Sequence, residues 1–240
     1  MLLKPDGSVR FTIYFKKINS LTKKDNYPLP VIDNLFKDMV GCTFFSKKDL
    51  DSGYYQCLMD PGSQKYTAFS CELGLFEWIR MPMGLKNSGC TFQRMMDKIL
   101  RPLISKVCHV YQDDVIVFFM TAEQHKLDLE SVVELLKDAQ LKIKLRKCSY
   151  FQKEIEFPGH CIAKGHINPT KSKIEALFTY NAPRTVKQLF SFLGLASYYR
   201  KFIENFTKLA HALYECANEN RWNKRAKRIC PLIVKNHSTY

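Results

Sequence analysis

Two adjacent carboxylates, Asp113 and Asp114, sit between apolar runs, Val107 to Tyr111 before them and Val115-Ile116-Val117-Phe118-Phe119 after. Two β-rich runs around a tight polar turn are the pattern of a hairpin. Ionised carboxylates beside buried strands are costly unless something offsets their charge. No Lys or Arg lies within five residues along the chain. A divalent cation is a natural partner, and hard oxygen ligands suit Mg²⁺ or Mn²⁺. The plain alternative is a solvated turn, because Asp favours turns. Asp49 closes a second apolar strand, Thr43-Phe44-Phe45-Ser46, and Asp51 follows it. One of these two beside Asp113 would complete a carboxylate cluster for two-metal phosphoryl transfer. The pattern does not choose between them.

The elements that must position these groups follow from turn signals and periodicity. Pro5-Asp6-Gly7 predicts a turn, and Val9 to Phe15 a strand after it. Val31 to Met39 has helical spacing of apolar residues and stops at Gly41. Thr43 to Lys48, Tyr54 to Met59 and Tyr66 to Phe69 read as strands, with Pro61-Gly62 between the last two. Leu73 to Met81 predicts a hairpin turning at Gly74. Asn87 to Leu103, Ala122 to Asp138 and Val186 to Ile203 are predicted helices, and another begins near Thr170. Helices and strands grouped rather than alternating predict an α+β fold.

Composition narrows the class. Lys and Arg number 37 against 23 acids, a formal charge of +14, which suits a polyanionic partner such as nucleic acid. The nine cysteines contain no C-x-x-C pair, so neither zinc nor a disulfide framework is expected. No run approaches the ~20 apolar residues of a membrane helix, and the first residues are not a signal peptide. There is no G-x-S-x-G for a nucleophile elbow and no P-loop. His109, near the Asp pair, reads as a packed strand residue.

Tyr111-Gln112-Asp113-Asp114 resembles the Tyr-x-Asp-Asp box of reverse transcriptases, and other boxes accompany it in order. Arg10 to Asn19 (RFTIYFKKIN) resembles the segment whose Arg grips the incoming triphosphate. Tyr27 to Asp33 (YPLPVID) matches Y-P-L-P-x-I-D. Phe45 to Gln56 (FSKKDLDSGYYQ) matches F-S-x-x-D-L-x-S-G-Y-x-Q. Met81 to Gln93 (MPMGLKNSGCTFQ) resembles M-P-F-G-L-x-N-A-P-x-T-F-Q, and Phe157-Pro-Gly-His160 resembles F-L-G-H. Phe192 to Ile203 (FLGLASYYRKFI) matches F-L-G-L-x-x-Y-Y-R-x-F-I. Together, over about residues 4–216, the chain resembles the polymerase of a Ty3/Gypsy-type long-terminal-repeat retrotransposon Pol polyprotein.

The resemblance implies a right-hand polymerase fold. Residues 1–40 would be partial fingers, 41–160 palm with a fingers insertion at about 60–85, 161–216 a thumb-like helical region and 217–240 a divergent basic tail. It implies RNA- and DNA-directed DNA synthesis with two Mg²⁺ or Mn²⁺ ions on Asp49, Asp113 and Asp114. Arg10, Leu50, Tyr54, Met83 and Gln93 would surround the nucleotide, Tyr54 excluding a 2′-hydroxyl. Tyr111, Gln112, Phe157, Gly159, His160, Lys142 and Lys144 would contact primer and template. The implied partners are an RNA template, a DNA primer, deoxynucleotides and a parent Pol polyprotein or dimer, without a membrane. The implied compartment is the cytoplasm, in virus-like particles, with the nucleus also open.

Several positions depart from the family pattern. Tyr14 and Lys16 replace Asp and Arg, Met83 replaces an aromatic, Gly89 replaces Pro and Pro158 replaces Leu. Met1 falls inside a strand–turn pattern, so a truncated fingers sheet with one unpaired edge is expected. The alternative function is therefore an inactive remnant that acts at most as a nucleic-acid-binding module.

Overall fold

The computed structural model describes the chain apart from residues 1, 4–6, 8, 173–174, 176–178, 181–182, 219–229 and 231–240; the side chains of residues 2, 3, 9, 10 and 216–218 also lie outside it. The Arg10 side chain and nearly all of the 217–240 tail therefore fall outside the described residues. The chain divides into two compact units, Met1–Ile155 and Glu156–Tyr240.

The first unit is built on a four-stranded antiparallel sheet in the order β6-β7-β3-β8. Its strands are β3 (Phe44–Asp49), β6 (Cys108–Tyr111), β7 (Asp114–Phe119) and β8 (Ser149–Gln152). β7 is central, which is why its sequence is continuously apolar: Val115, Ile116, Val117 and Phe118 are all buried. Side chains alternate across a strand, so Val115 and Val117 face one layer and Ile116 and Phe118 the other. On the first face lie α4 (Ser88–Ile99) and α5 (Ala122–Asp138), which bring Phe92, Met96, Val132 and Leu136 into one core with Val110, Val115 and Val117. Thr121 caps α5 by accepting from the Gln124 N–H at 3.4 Å. On the opposite face His109 lies 3.1 Å from Asp38 of α2 (Ile32–Met39).

Smaller elements surround this sheet. β1 (Leu2–Leu3) pairs with β2 (Val9–Arg10), and α1 covers Lys16–Leu21. β4 (Phe69–Cys71) and β5 (Gly74–Phe76) form a separate hairpin, with α3, a single turn, over Pro61–Gln64.

The structure departs from the sequence reading in this region. Val9 to Phe15 is strand only at Val9–Arg10. Tyr54 to Met59 is not a strand but opens as a 3-10 turn over Gly53–Gln56, because Ser52 takes a left-handed φ of 54° and reverses the chain. Of Tyr66 to Phe69, Tyr66 and Thr67 lie in a 3-10 turn, Lys65–Thr67, continuing α3, whose first residue Pro61 is preset for helix, and only Phe69 is strand. The hairpin turns at Glu72-Leu73, and Gly74 (φ 126°) opens the returning strand instead.

The second unit takes up the chain within β9 (Glu154–Phe157); β10 (His160–Ala163) and β11 (His166–Pro169) are antiparallel, in a sheet ordered β11-β10-β9. Two helices follow, α6 (Val186–Tyr198) and α7 (Phe206–Asn218), around a core of Leu189, Phe192, Leu193, Tyr199, Phe202 and Leu213. Among the described residues, no helix is long and apolar enough to cross a membrane.

Candidate active site

Strand register decides which carboxylates meet. β3 pairs with β7 so that Asp49 stands directly across from Asp114, and β6 pairs with β7 so that Tyr111 also stands across from Asp114. Directly opposite residues have Cα atoms about 4.5–5.5 Å apart, so Asp49 and Asp114 share one end of the sheet. Asp113 sits in the turn between β6 and β7, after Gln112, whose φ is 56°. Asp51 lies beyond the strand end and is exposed; its N–H donates to the Lys142 carbonyl at 2.9 Å. Of the two, Asp49 is the one that strand register sets across from Asp114.

Like charges placed directly opposite are destabilising, and lysines offset them here. Lys47, two residues before Asp49 and so on the same face, reaches Asp114 at 2.8 Å. Lys147 approaches Asp49 at 3.5 Å. Burial pushes the Asp114 carboxyl above the usual carboxylate range; the Lys47 contact opposes this, and the charges of Asp113 and Asp49 add to it. The charges of Asp113 and Asp49 are thus both felt at Asp114. As the side chains stand, no three His, Cys, Asp or Glu among the described residues are gathered closely enough to hold a metal ion. Neither lysine was visible as a partner from spacing along the chain, because both contacts depend on strand pairing.

The turn carrying Asp113 is held from behind. Gln93 is fully buried. Its Oε1 accepts from the Gln112 N–H at 2.8 Å, and its Nε2 donates to the Val110 carbonyl at 3.1 Å and to Asp97 Oδ1 at 2.9 Å. Asp97 in turn accepts from the Tyr27 hydroxyl at 2.7 Å. Two of the sequence boxes, around Tyr27 and around Gln93, are thus linked by hydrogen bonds to the third. A buried side chain that spends both amide ends this way supports the turn rather than facing a nucleotide. Asp97 was missed by sequence reasoning, and its i,i+4 spacing from Gln93 was the available signal.

Tyr54 lies in the 3-10 turn after β3, its ring 5.1 Å from that of Phe92. Gly53 permits this approach: a Cβ there would meet the Phe92 ring at 2.9 Å. Burial raises the Tyr54 phenol, and the Asp113 charge raises it further. Leu50 is buried in the core at 2% exposure, and its backbone bridges antiparallel to Ile143. Met83 is partly exposed after Met81 and Pro82. The Lys142 N–H and carbonyl are both bonded to Gln56, and Lys144 lies 4.0 Å from Asp51; both lysines belong to the same unit as the carboxylates. Phe157, Gly159 and His160 belong to the second unit. There Phe157 and His160 are buried, and Gly159 takes a left-handed φ of 76°.

The family described as "Reverse transcriptase (RNA-dependent DNA polymerase)" matches residues 2–162. The chain is 41% identical over 217 residues to the retrovirus-related Pol polyprotein from transposon 297 of Drosophila melanogaster, covering 89% of this chain and 20% of that protein. It is 36% identical over 204 residues to the Pol polyprotein from transposon gypsy of the same organism, covering 85% and 20%. The chain thus spans about a fifth of the length of these relatives. A foamy viral protease-reverse transcriptase solved in complex with double-stranded DNA superposes with a TM-score of 0.87 at 26% identity, over 98% of this chain and 42% of that one. The same viral enzyme in complex with an RNA/DNA hybrid gives 0.80 at 26%, over 97% and 32%. The fold is therefore the α+β polymerase fold that the motif order implied. With the matched region running from the first strands through the carboxylate hairpin and beyond, the chain belongs to the reverse transcriptase family.

Proposed function

We propose that this chain is the polymerase module of a longer Pol polyprotein and extends a DNA primer with deoxynucleotides on an RNA or DNA template. The observation that carries the reading is the pairing of Asp49 with Asp114 across β3 and β7, with Asp113 in the adjoining turn. Hard carboxylate oxygens suit Mg²⁺ or Mn²⁺, and the mutual repulsion at Asp114 is what bound cations relieve. Asp49, Asp113 and Asp114 would hold two such ions, with Lys47 standing in for the cation at Asp114 in their absence. Bound there, the ions supply activation of the primer 3′-hydroxyl and neutralise charge on the transferred and leaving phosphates.

The chain's own residues do the rest. Tyr54, packed on Phe92, presents a rigid ring beneath the sugar and excludes a 2′-hydroxyl. Gln93 fixes the turn so that Asp113 needs no reorganisation when the nucleotide arrives. Arg10 contacts the triphosphate by charge-assisted bonds, while Lys142, Lys144 and Lys147 meet the nucleic-acid backbone. The 157–160 turn holds the primer end. Residues 1–40 and about 60–85 act as fingers, the remainder to 160 as palm and 161–216 as a thumb-like region.

Primer extension on an RNA template, with deoxynucleotides and Mg²⁺ or Mn²⁺, tests the reading. Product is expected from the unmodified chain and none from an Asp113→Asn, Asp114→Asn double variant. A folded chain that yields no product under any divalent cation would refute it. One observation favours a second reading, a metal-independent nucleic-acid-binding module: Asp114 and Asp49 already have lysine partners. That reading expects salt-dependent RNA binding indifferent to Mg²⁺.

A further inference from the structure

The turn from Phe157 to His160 is closed by side chains from the far end of α6. The Tyr198 hydroxyl donates to the Pro158 carbonyl at 3.2 Å. The Tyr199 hydroxyl approaches the Gly159 carbonyl at 3.5 Å, which also accepts from the Thr170 N–H at 3.2 Å. His160 Nδ1 lies 3.1 Å from the Pro158 carbonyl, and its ring packs 5.6 Å from each of the two tyrosine rings and 5.7 Å from Phe202. The packing is close: a Cβ on Gly159 would stand 3.3 Å from the Tyr199 hydroxyl and 3.7 Å from that of Tyr198. Pro158 has no N–H to give, and the Pro158 and Gly159 carbonyls both face phenols. Burial pushes the Tyr199 phenol up to about 12.

We infer that Tyr198 and Tyr199 are positioning residues, a pair of phenols that set the backbone of the 157–160 turn and through it the seat of the primer end. This rests on the reading of that turn as the primer-holding element. Neither tyrosine need touch the primer for the effect. The two sequence boxes F-P-G-H and Y-Y-R, 38 residues apart from His160 to Tyr198, then form one device.

The experiment compares the unmodified chain with a Tyr198→Phe, Tyr199→Phe double variant, which keeps both rings and removes only the hydroxyls, and with Gly159→Ala, which disturbs the turn directly. Amide hydrogen exchange at Gly159 and His160 is read beside the Kd for a primer–template duplex and the KM for deoxynucleotide. With two hydrogen bonds lost, exchange at these amides is expected to quicken about tenfold. Duplex affinity should fall about three- to tenfold in both variants while the deoxynucleotide KM stays unchanged. Unchanged exchange in the double variant would overturn the inference. Faster exchange with unchanged duplex affinity would also overturn it, and if Gly159→Ala were equally silent, the fault would lie in the primer-holding reading of the turn itself.

Discussion

Two turns of this molecule each contain one left-handed residue, and each is held by side chains from a distant element, but they are held differently. The 112–113 turn is fixed by Gln93, fully buried, which satisfies an N–H and a carbonyl of the hairpin at once. The 157–160 turn is fixed by phenols, and Tyr198 is 47% exposed. Local opening is governed by how many buried contacts must be broken. The first turn is therefore anchored through one buried amide, whereas the second rests on one exposed phenol, Tyr198, and one buried phenol, Tyr199 at 2%. In the proposed function the first would carry a catalytic carboxylate and the second would seat the primer end.

The largest effect should come from breaking the rigid turn. Replacing Gln93 by Leu leaves the Gln112 N–H, the Val110 carbonyl and an Asp97 oxygen without their partner. A loss of about 1–3 kcal/mol is expected for such orphaned groups, seen as a lower urea midpoint, together with slower extension. Equal stability would mean the turn holds itself, and the contrast between the two turns would disappear.

A smaller effect is expected at Lys47. Its pair with Asp114 is only about a quarter exposed on each side, so Lys47→Met should cost about 1 kcal/mol at low salt and raise the stabilisation gained from Mn²⁺. Thermal unfolding with and without Mn²⁺ reads both. If Lys47→Met abolishes the Mn²⁺ response instead, the lysine is not a stand-in for the cation.

The smallest effect concerns pH. Burial holds His125 below its ordinary range, with the Asp128 charge opposing, and holds His109 there too, with Asp38 opposing. A depressed folded pKa means stability is present above the unfolded value of about 6.5 and is lost as pH falls below it, because the unfolded chain takes up protons that the folded one resists. Tm should decline from about pH 6.5 toward 5, less steeply in a His125→Gln variant. A flat profile would show that both histidines protonate in place.

Much of the sheet and of the carboxylate corner was legible in the sequence because a central strand buried on both faces declares itself, as β7 does. The long helices α4 and α5 were legible for the same reason of period. What the sequence hid depends on pairing. Asp49 and Asp51 are equivalent along the chain, and only the register of β3 against β7 separates them. Lys47 and Lys147 become counter-ions only once strands and loops meet. Tyr54 looked like a strand residue because β-propensity carries no information about the left-handed Ser52 that turns the chain just before it. The Gly74 turn was misplaced by one step because glycine serves a strand start at positive φ as readily as a turn.

Single-nucleotide incorporation by Asp49→Asn, Asp51→Asn and Asp113→Asn variants, measured side by side in a single turnover, tests the central claim most directly. The corner geometry predicts that the Asp49 and Asp113 variants each lose more than about a thousandfold in rate, as removal of several kcal/mol of charge stabilisation requires. The Asp51 variant should stay within about threefold of the unmodified chain, in keeping with loss of only an exposed ion pair. An Asp51 variant as damaged as the Asp49 one, or an Asp49 variant that still incorporates at full rate, would contradict the assignment of this strand edge as the site of nucleotide addition.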